Sequence, residues 1–413
     1  MRAAILSIGD ELLLGEVVDT NASTIAARLY NLGVNLPLQM TVGDNIQDIV
    51  EACQLLAGKS DTVIVTGGLG PTVDDVTALA AAKLAGSPLE PNREALAHLK
   101  DFAERVAEKL HPANDKQSLM PASAKVIPNL VGTACGFSLV HDGCRFFFLP
   151  GVPGEMVSML DETVLPALAS SGRHKILRSK VFKVSGISEA ELDAMLQGVT
   201  EGFAAASIAF CVNFPEIEVK IRVVADEKLT ADKIIAIVGD KTRNILGSRV
   251  FAEDGETIDT VVAGLFKKTG ATLSLAESCT GGLIAKRITD LSGSSAYFLE
   301  GLVTYSNRAK IDLLGVPAQL LEEKGAVSAE VAMAMARGAR EKSGSDLALA
   351  VTGIAGPEGG SAEKPVGTVF MALAGQEQCR VRLFNFHGDR EQVRLVTSFA
   401  ALNWLRRELL ARP

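Results

Sequence analysis

Residues 62–75 read Thr-Val-Ile-Val-Thr-Gly-Gly-Leu-Gly-Pro-Thr-Val-Asp-Asp, and this stretch decides the fold. A β-branched run too short for a helix enters a glycine-rich turn, which opens an amphipathic segment over residues 75–84. Strand, loop and helix in that order form the unit of a parallel sheet covered by helices. Working outward, residues 3–8, 35–41 and 145–149 carry the same strand character, and residues 20–32, 46–57 and 92–110 carry helical periodicity. Pro166 and the polar Ser170-Ser171-Gly172-Arg173 stretch predict a boundary. Residues 1–170 therefore read as an α/β parallel-sheet domain.

Beyond it the texture changes. Strand patterns at 180–184 and 217–224 alternate with helical patterns at 189–196 and 230–246, the size of a small α+β linking module over residues 171–252. Ile217, Val219, Ile221 and Val223 alternate with Glu218, Lys220 and Arg222, as in a half-exposed antiparallel strand. That strand and the closing amphipathic helix at 391–410 predict apolar surface for self-association. Residues 253–413 return to α/β texture, with a helix at 257–268 and strands at 272–276, 301–306, 347–352 and 366–373.

The chain has 413 residues, 47% hydrophobic and 22% charged, with a net charge of −8. At roughly 150 residues per domain this is two or three folded domains. The negative balance argues against nucleic acid as the main partner, since a polyanion binder needs a basic surface. The apolar start is closed by Gly9-Asp10-Glu11, too short for a signal-peptide core, so the expected location is cytoplasmic. The six cysteines are scattered without a Cys-x-x-Cys pair, which predicts buried free thiols and neither disulfides nor structural zinc.

The glycine-rich loop suits an anionic phosphate, because glycines allow close backbone approach and free amides sit at a helix start. Gly67, Gly68, Gly70 and Thr72 are its candidate binding residues. The loops after two other strands, with Asp10 and with Gly151 in Leu149-Pro150-Gly151-Val152-Pro153-Gly154-Glu155, add glycines and carboxylates at neighbouring strand ends. Ligands of open α/β sheets sit outside those carboxyl ends. Carboxylates beside a phosphate repel it unless a cation lies between, so Asp74, Asp75 and Asp10 predict a hard divalent metal such as Mg²⁺. The competing reading makes Asp74 or Asp75 a helix cap. Lys116 reads either as a phosphate partner or as a solvated loop lysine.

In the last domain, Glu277-Ser278-Cys279-Thr280-Gly281-Gly282 joins a strand to a helix. Ser278 on that sharp turn is placed as a nucleophile whose oxyanion meets the turn's own amides, or else as an N-cap. No histidine accompanies it except His387. The candidate base is Lys310, since a desolvated lysine accepts a proton. The competing reading is a surface lysine paired with Asp312. Gly293-Ser294-Ser295, Thr352-Gly353 and Arg390 add hydroxyls, a second glycine-rich strand end and a phosphate-binding cation.

Together, Gly-Asp-Glu-Leu-Leu-x-Gly, Asp19-Thr20-Asn21, Val42-Gly43-Asp44-Asn45, Thr-Gly-Gly-Leu-Gly-Pro-Thr-x-Asp-Asp and Leu-Pro-Gly-Val-Pro-x-Glu-Met resemble the molybdopterin-binding-like domain of the CinA family. That resemblance implies a metal-dependent ADP-ribose pyrophosphatase releasing AMP and ribose 5-phosphate. The carboxy-terminal motifs resemble the CinA carboxy-terminal domain, whose stand-alone relatives are nicotinamide mononucleotide deamidases. The resemblance implies Ser278 as nucleophile and Lys310 as base, with Tyr305 and Ser295 orienting them. Thr280, Gly281, Gly282, Thr352, Gly353 and Arg390 are implied to bind substrate, no cofactor is implied for this domain, and a homodimer is implied for the whole. Gly186-Ile187-Ser188-Glu189-Ala190 departs from the family's Gly-Ile-Gly-Glu-Ser. The sequence thus reads as a bifunctional cytoplasmic enzyme of NAD salvage. The alternatives are a molybdopterin-nucleotide binder or adenylyltransferase in the first domain, and a non-enzymatic adaptor in DNA uptake.

Overall fold

The structure is a computed structural model and describes residues 1–107, 110–170 and 175–412. The chain separates into two compact units, residues 1–178 with 223–234, and residues 179–222 with 235–413. Among the described residues no helix is long and apolar enough to cross a membrane.

The first unit is built on β1 (Arg2–Ile8), β2 (Asn35–Val42), β3 (Thr62–Thr66), β4 (Leu89–Pro91), β5 (Leu119–Pro121), β6 (Lys125–Ile127), β7 (Gly136–His141) and β8 (Cys144–Leu149). Six of these form one sheet in the order β2-β1-β3-β8-β7-β6. β2, β1, β3 and β8 run parallel, and β7 and β6 add an antiparallel edge. β3 is buried at every residue, because a central parallel strand is covered on both faces. One face packs Ile49, Cys53 and Leu56 of the helix Ile46–Ala57 against Leu6 and Val65. The other packs Ile25 and Leu29 of the helix Thr20–Asn31 against Ile5 and Ile64.

Three expectations change here. The helix expected at 75–84 is Thr77–Ala85, with Val76 at its N-cap and no side-chain cap, so Asp74 and Asp75 precede it and cap nothing. The helix expected at 92–110 is Arg93–Val106, and residues 108 and 109 lie outside the described residues. Pro166 does not end a helix: it lies in Leu165–Ala169, which continues the helical run from Pro153 through the π turn Leu160–Val164. Residues 171–173 of the polar boundary stretch lie outside the described residues.

Next in the chain is a four-stranded sheet, β9 (Ile176–Val184), β10 (Ala206–Asn213), β11 (Glu216–Ala225) and β12 (Val250–Glu253), in the order β10-β11-β9-β12. Its helices are Glu189–Leu196 and Lys228–Leu246. A five-stranded sheet follows, β13 (Leu273–Glu277), β14 (Phe298–Val303), β15 (Leu347–Gly353), β16 (Thr368–Ala374) and β17 (Cys379–Asn385), in the order β14-β13-β15-β16-β17. β14, β13 and β15 are parallel, and β16 and β17 antiparallel.

The self-association surfaces expected from sequence are not free. Val219, Ile221 and Val223 of β11 are fully buried. The helix Arg390–Leu410 buries Val393, Phe399, Leu402, Trp404, Leu405 and Leu409 in the core beside Phe266, Leu275 and Leu349. Both apolar stripes are satisfied within the chain. The six cysteines are free thiols, with Cys211 and Cys379 partly exposed and the others buried.

Candidate functional site

In the first unit the ends of β1, β3 and β8 converge on a cleft of about 410 Å³. Gly67, Gly68, Gly70, Asp74, Asp75, Gly151 and Glu155 line it, together with Glu11 and Asp44. Gly67 has φ +112°, and a Cβ there would lie 2.1 Å from the Ile8 carbonyl oxygen, so only glycine lets the loop cross the end of β1. Asn21 ties two loops together: its Nδ2 donates to Thr66 Oγ1 at 3.1 Å and to the Gly151 carbonyl at 2.7 Å, while Thr66 Oγ1 donates to Pro150 O. Asn21 was visible in sequence as part of a motif, but nothing there showed it as the fastener.

Asp75 accepts from the Thr72 amide at 2.8 Å and from the Thr72 hydroxyl at 2.5 Å, closing the turn Thr72–Asp75. Lys116 Nζ donates to the Thr72 carbonyl, so this lysine belongs to the loop and is not a free surface group. Asp10 lies outside the cleft lining. Its Oδ1 accepts from the Asp44 amide at 3.1 Å, and its own amide donates to Asp44 Oδ2 at 2.9 Å. Burial, and then repulsion from Asp10, Glu11 and Asp74, push the Asp44 carboxyl up.

Among the described residues no three His, Cys, Asp or Glu side chains are disposed to hold one ion, so Asp74, Asp75 and Asp10 are not gathered into a ready cage. The donor set still fits a Mg²⁺-type ion, which uses one or two carboxylates and completes its octahedron with water and substrate phosphates. Acidic oxygens crowded at one cleft, with Asp44 pushed up by burial first and by its acidic neighbours second, are the arrangement a cation relieves.

In the second unit, β13 delivers Glu277 and Ser278 to a sharp turn before the short helix Leu283–Thr289. The helix starts at Gly282, and Ser278 does not cap it. Glu277, 1% exposed, does: its carboxylate accepts from the amides of Gly282 (3.0 Å), Ile284 (3.1 Å) and Ala285 (2.8 Å). Those three helix-start amides are therefore taken. Gly281 donates its amide to the Ser278 carbonyl.

Lys310 lies on the helix Asn307–Leu314, capped by Ser306, and is 1% exposed. Its Nζ is 3.0 Å from Ser278 Oγ, 2.7 Å from the Thr304 carbonyl and 3.4 Å from the Tyr305 carbonyl. The surface reading fails, since Asp312 pairs with Arg308 instead. Burial lowers the Lys310 pKa. A neutral amine has two N–H groups and one lone pair. The two carbonyls can only accept and take the hydrogens, which turns the lone pair toward the Ser278 hydroxyl. Beside Ser278, burial pushes the Cys279 thiol up to about 12, so it stays protonated and non-nucleophilic.

The remaining candidates are placed differently. The Tyr305 phenol points away from the pair and accepts from Arg390 at 2.9 Å; only its backbone carbonyl meets Lys310. Ser295 is exposed in the turn Ser294–Ala296 and, among the described residues, bonds neither Ser278 nor Lys310. Arg390 also donates to the Gly356 carbonyl at 2.7 Å. Thr352, beside Gly353 at the end of β15, spends its hydroxyl on the Ala326 carbonyl. Thr280 has a fully buried hydroxyl without a hydrogen-bond partner among the described residues, and its carbonyl accepts from Arg394. Arg394 escaped the sequence reading, although it stands one helical turn beyond Arg390 on the same face.

Three family descriptions match the chain. A probable molybdopterin binding domain matches residues 4–170, a damage-inducible protein CinA KH domain residues 179–252, and a CinA C-terminal domain residues 255–409. A CinA-like protein of Geotalea uraniireducens is 64% identical over 412 residues, covering 100% of this chain and 98% of that protein. A CinA-like protein of Geobacter sulfurreducens is 56% identical over 411 residues, covering 99% of this chain and 100% of that protein. The crystal structure of competence/damage inducible protein CihA from Agrobacterium tumefaciens shares 44% identity, covers 37% of this chain and 95% of that chain, and has a TM-score of 0.36.

Proposed function

This chain belongs to the CinA family, and from that premise we propose that it is a two-site cytoplasmic hydrolase of NAD-derived nucleotides. The second unit releases ammonia from nicotinamide mononucleotide, and the first splits ADP-ribose into AMP and ribose 5-phosphate. The observation that carries the amidase reading is the buried Lys310 amine 3.0 Å from Ser278 Oγ. Lys310 takes the hydroxyl proton as Ser278 Oγ attacks the amide carbon. It returns that proton to the departing nitrogen, so ammonia leaves as the C–N bond breaks. Water then hydrolyses the acyl-serine, with Lys310 again accepting a proton. Arg390, held by Tyr305 and the Gly356 carbonyl, binds the nucleotide phosphate.

For the first unit, the loop of Gly67, Gly68 and Gly70 holds the diphosphate. Asp74 or Asp75 would hold a divalent ion beside that diphosphate, with Asp10 acting by fixing Asp44. When bound, that ion supplies charge stabilisation at the phosphoryl oxygens.

Exclusion of nucleic acid is supported by the net charge and by the KH-like module. KH domains clamp a nucleic-acid backbone with a Gly-x-x-Gly loop. Residues 179–252, which match the KH description, contain no Gly-x-x-Gly run. A capping box between Ser188 and Glu191 places a carboxylate at the helix start, and its bonds to Ser188 keep that carboxyl below the usual range. A phosphate would meet negative charge there.

The deciding experiment incubates the full chain with pyridine and adenine nucleotides, with and without divalent metal, and reads ammonia and AMP. Ammonia from nicotinamide mononucleotide without metal, and AMP from ADP-ribose only with it, is the expected result. Selective binding of molybdopterin without AMP release would favour the pterin reading. The family also leads us to expect a homodimer, with its interface on surfaces other than β11 and the last helix. A sedimentation mass of one chain at micromolar concentration would overturn that.

A further inference from the structure

We propose that Glu155 accepts the proton of the water that attacks the diphosphate in the amino-terminal cleft. This rests on the pyrophosphatase reading of that cleft and adds to it the group that generates the nucleophile.

Glu155 stands three residues into the helix Pro153–Met159. A glutamate there ordinarily turns back to the helix's own first amides. In this helix no side chain caps the start. Glu155 reaches sideways instead, and its Oε2 accepts from Asn129 Nδ2 at 2.7 Å.

Asn129 is fully buried, and its orientation follows from its other bonds. Its Oδ1 accepts from the amides of Val131 (3.0 Å) and Gly132 (2.8 Å), and its Nδ2 also donates to the Ala134 carbonyl at 2.9 Å. With the oxygen committed to two N–H donors, the nitrogen must face Glu155. Gly132 completes the seat: a Cβ there would lie 2.1 Å from Glu155 Oε1, so the carboxyl rests against bare backbone. A buried asparagine and a glycine thus hold one carboxylate at the wall of the cleft that the phosphate loop also lines.

The other cleft carboxylates have other duties. Asp75 closes the Thr72 turn, Asp74 is exposed, Glu11 is exposed on the short helix Asp10–Leu13, and Asp44 accepts from the Asp10 amide. Glu155 is half-buried, and burial raises its pKa against the opposing pull of Asn129 and His98, which makes it a better proton acceptor than an ordinary glutamate. In the step proposed, the water oxygen bonds to one phosphorus of the anhydride as its proton passes to Glu155. The bond from that phosphorus to the bridging oxygen breaks, and its electron pair leaves with the other phosphate monoester.

The test is Glu155→Gln in the full chain with ADP-ribose and divalent metal. Glutamine can accept the same Asn129 bond, so the seat survives while the base is lost. The expected result is a fall in kcat for AMP release of ~10²–10⁴-fold, with KM and the thermal midpoint nearly unchanged. Gly132→Ala, which displaces the carboxyl without removing it, should also lower kcat and should respond to added metal like the parent. Full kcat in Glu155→Gln would mean a structural carboxyl and overturn the proposal, as would a loss confined to KM. If the parent itself releases no AMP, the pyrophosphatase reading fails first and takes the proposal with it.

Discussion

Lys310→Arg loses ammonia release from nicotinamide mononucleotide by ~10⁴-fold or more while still binding the nucleotide, because a guanidinium stays protonated at any usable pH and cannot accept the Ser278 proton. Ser278→Ala is comparably inactive, and the double variant is no worse than either single one, since a nucleophile and its base act as one unit. In the parent, turnover rises with pH through the Lys310 pKa, which burial places below the ordinary 10.5. Steady-state rates and nucleotide binding on folded variants decide the matter. Near-parental turnover in Lys310→Arg would show that the lysine supplies charge only. Normal turnover in Ser278→Ala with loss in Ser295→Ala would move the nucleophile to Ser295, a position the exposed turn around Ser295 argues against.

Asp75→Asn should lower AMP release from ADP-ribose by ~10²-fold or more and leave ammonia release unchanged. The asparagine oxygen can still accept the two bonds from Thr72, so the loop keeps its shape and only the charge disappears. A chelator should reproduce the effect on the parent. Parental AMP release in Asp75→Asn would reduce Asp75 to a clasp for the loop. A chelator effect on ammonia release would put the metal in the wrong unit.

Elements with strong local signals stand where the sequence places them. β3 coincides with residues 62–66 because a fully buried parallel strand reads as an unbroken β-branched run, and the helix Ile46–Ala57 is bounded by its Asn45 cap. β4, β5, β6, β7, β10, β12 and β17 were not legible. β17 does alternate Cys379, Val381 and Leu383 with Arg380 and Arg382 but is a short half-exposed edge, whereas β10 mixes small and apolar residues without a period of two. The helix Ala329–Ser343 hid for a related reason, since its buried face is largely alanine. In the site, the Ser278 and Lys310 pairing followed from chemistry, but the burial of Lys310 did not. A lysine four residues from a serine cap looks like a surface residue until the helix is packed. Glu277 was hidden by its neighbour: the serine drew the reading, and the carboxylate beside it took the capping role assigned to the serine.

The burial of Lys310 also reaches beyond catalysis, to the thermodynamic stability of the fold. In the unfolded chain this lysine titrates at its ordinary 10.5, whereas in the folded chain its pKa is lowered. Between those two values the unfolded state holds a proton that the folded state lacks, so unfolding takes up a proton and stability rises with pH across that window. Below the folded-state pKa both states are protonated, and the fold carries the full cost of a buried ammonium. Urea midpoints measured against pH should therefore climb more steeply toward alkaline pH for the parent than for Lys310→Met. Parallel curves would show that the amine titrates as it does in water. A reactive neutral lysine and a fold that is weaker in acid are, on this account, two readings of one displaced equilibrium.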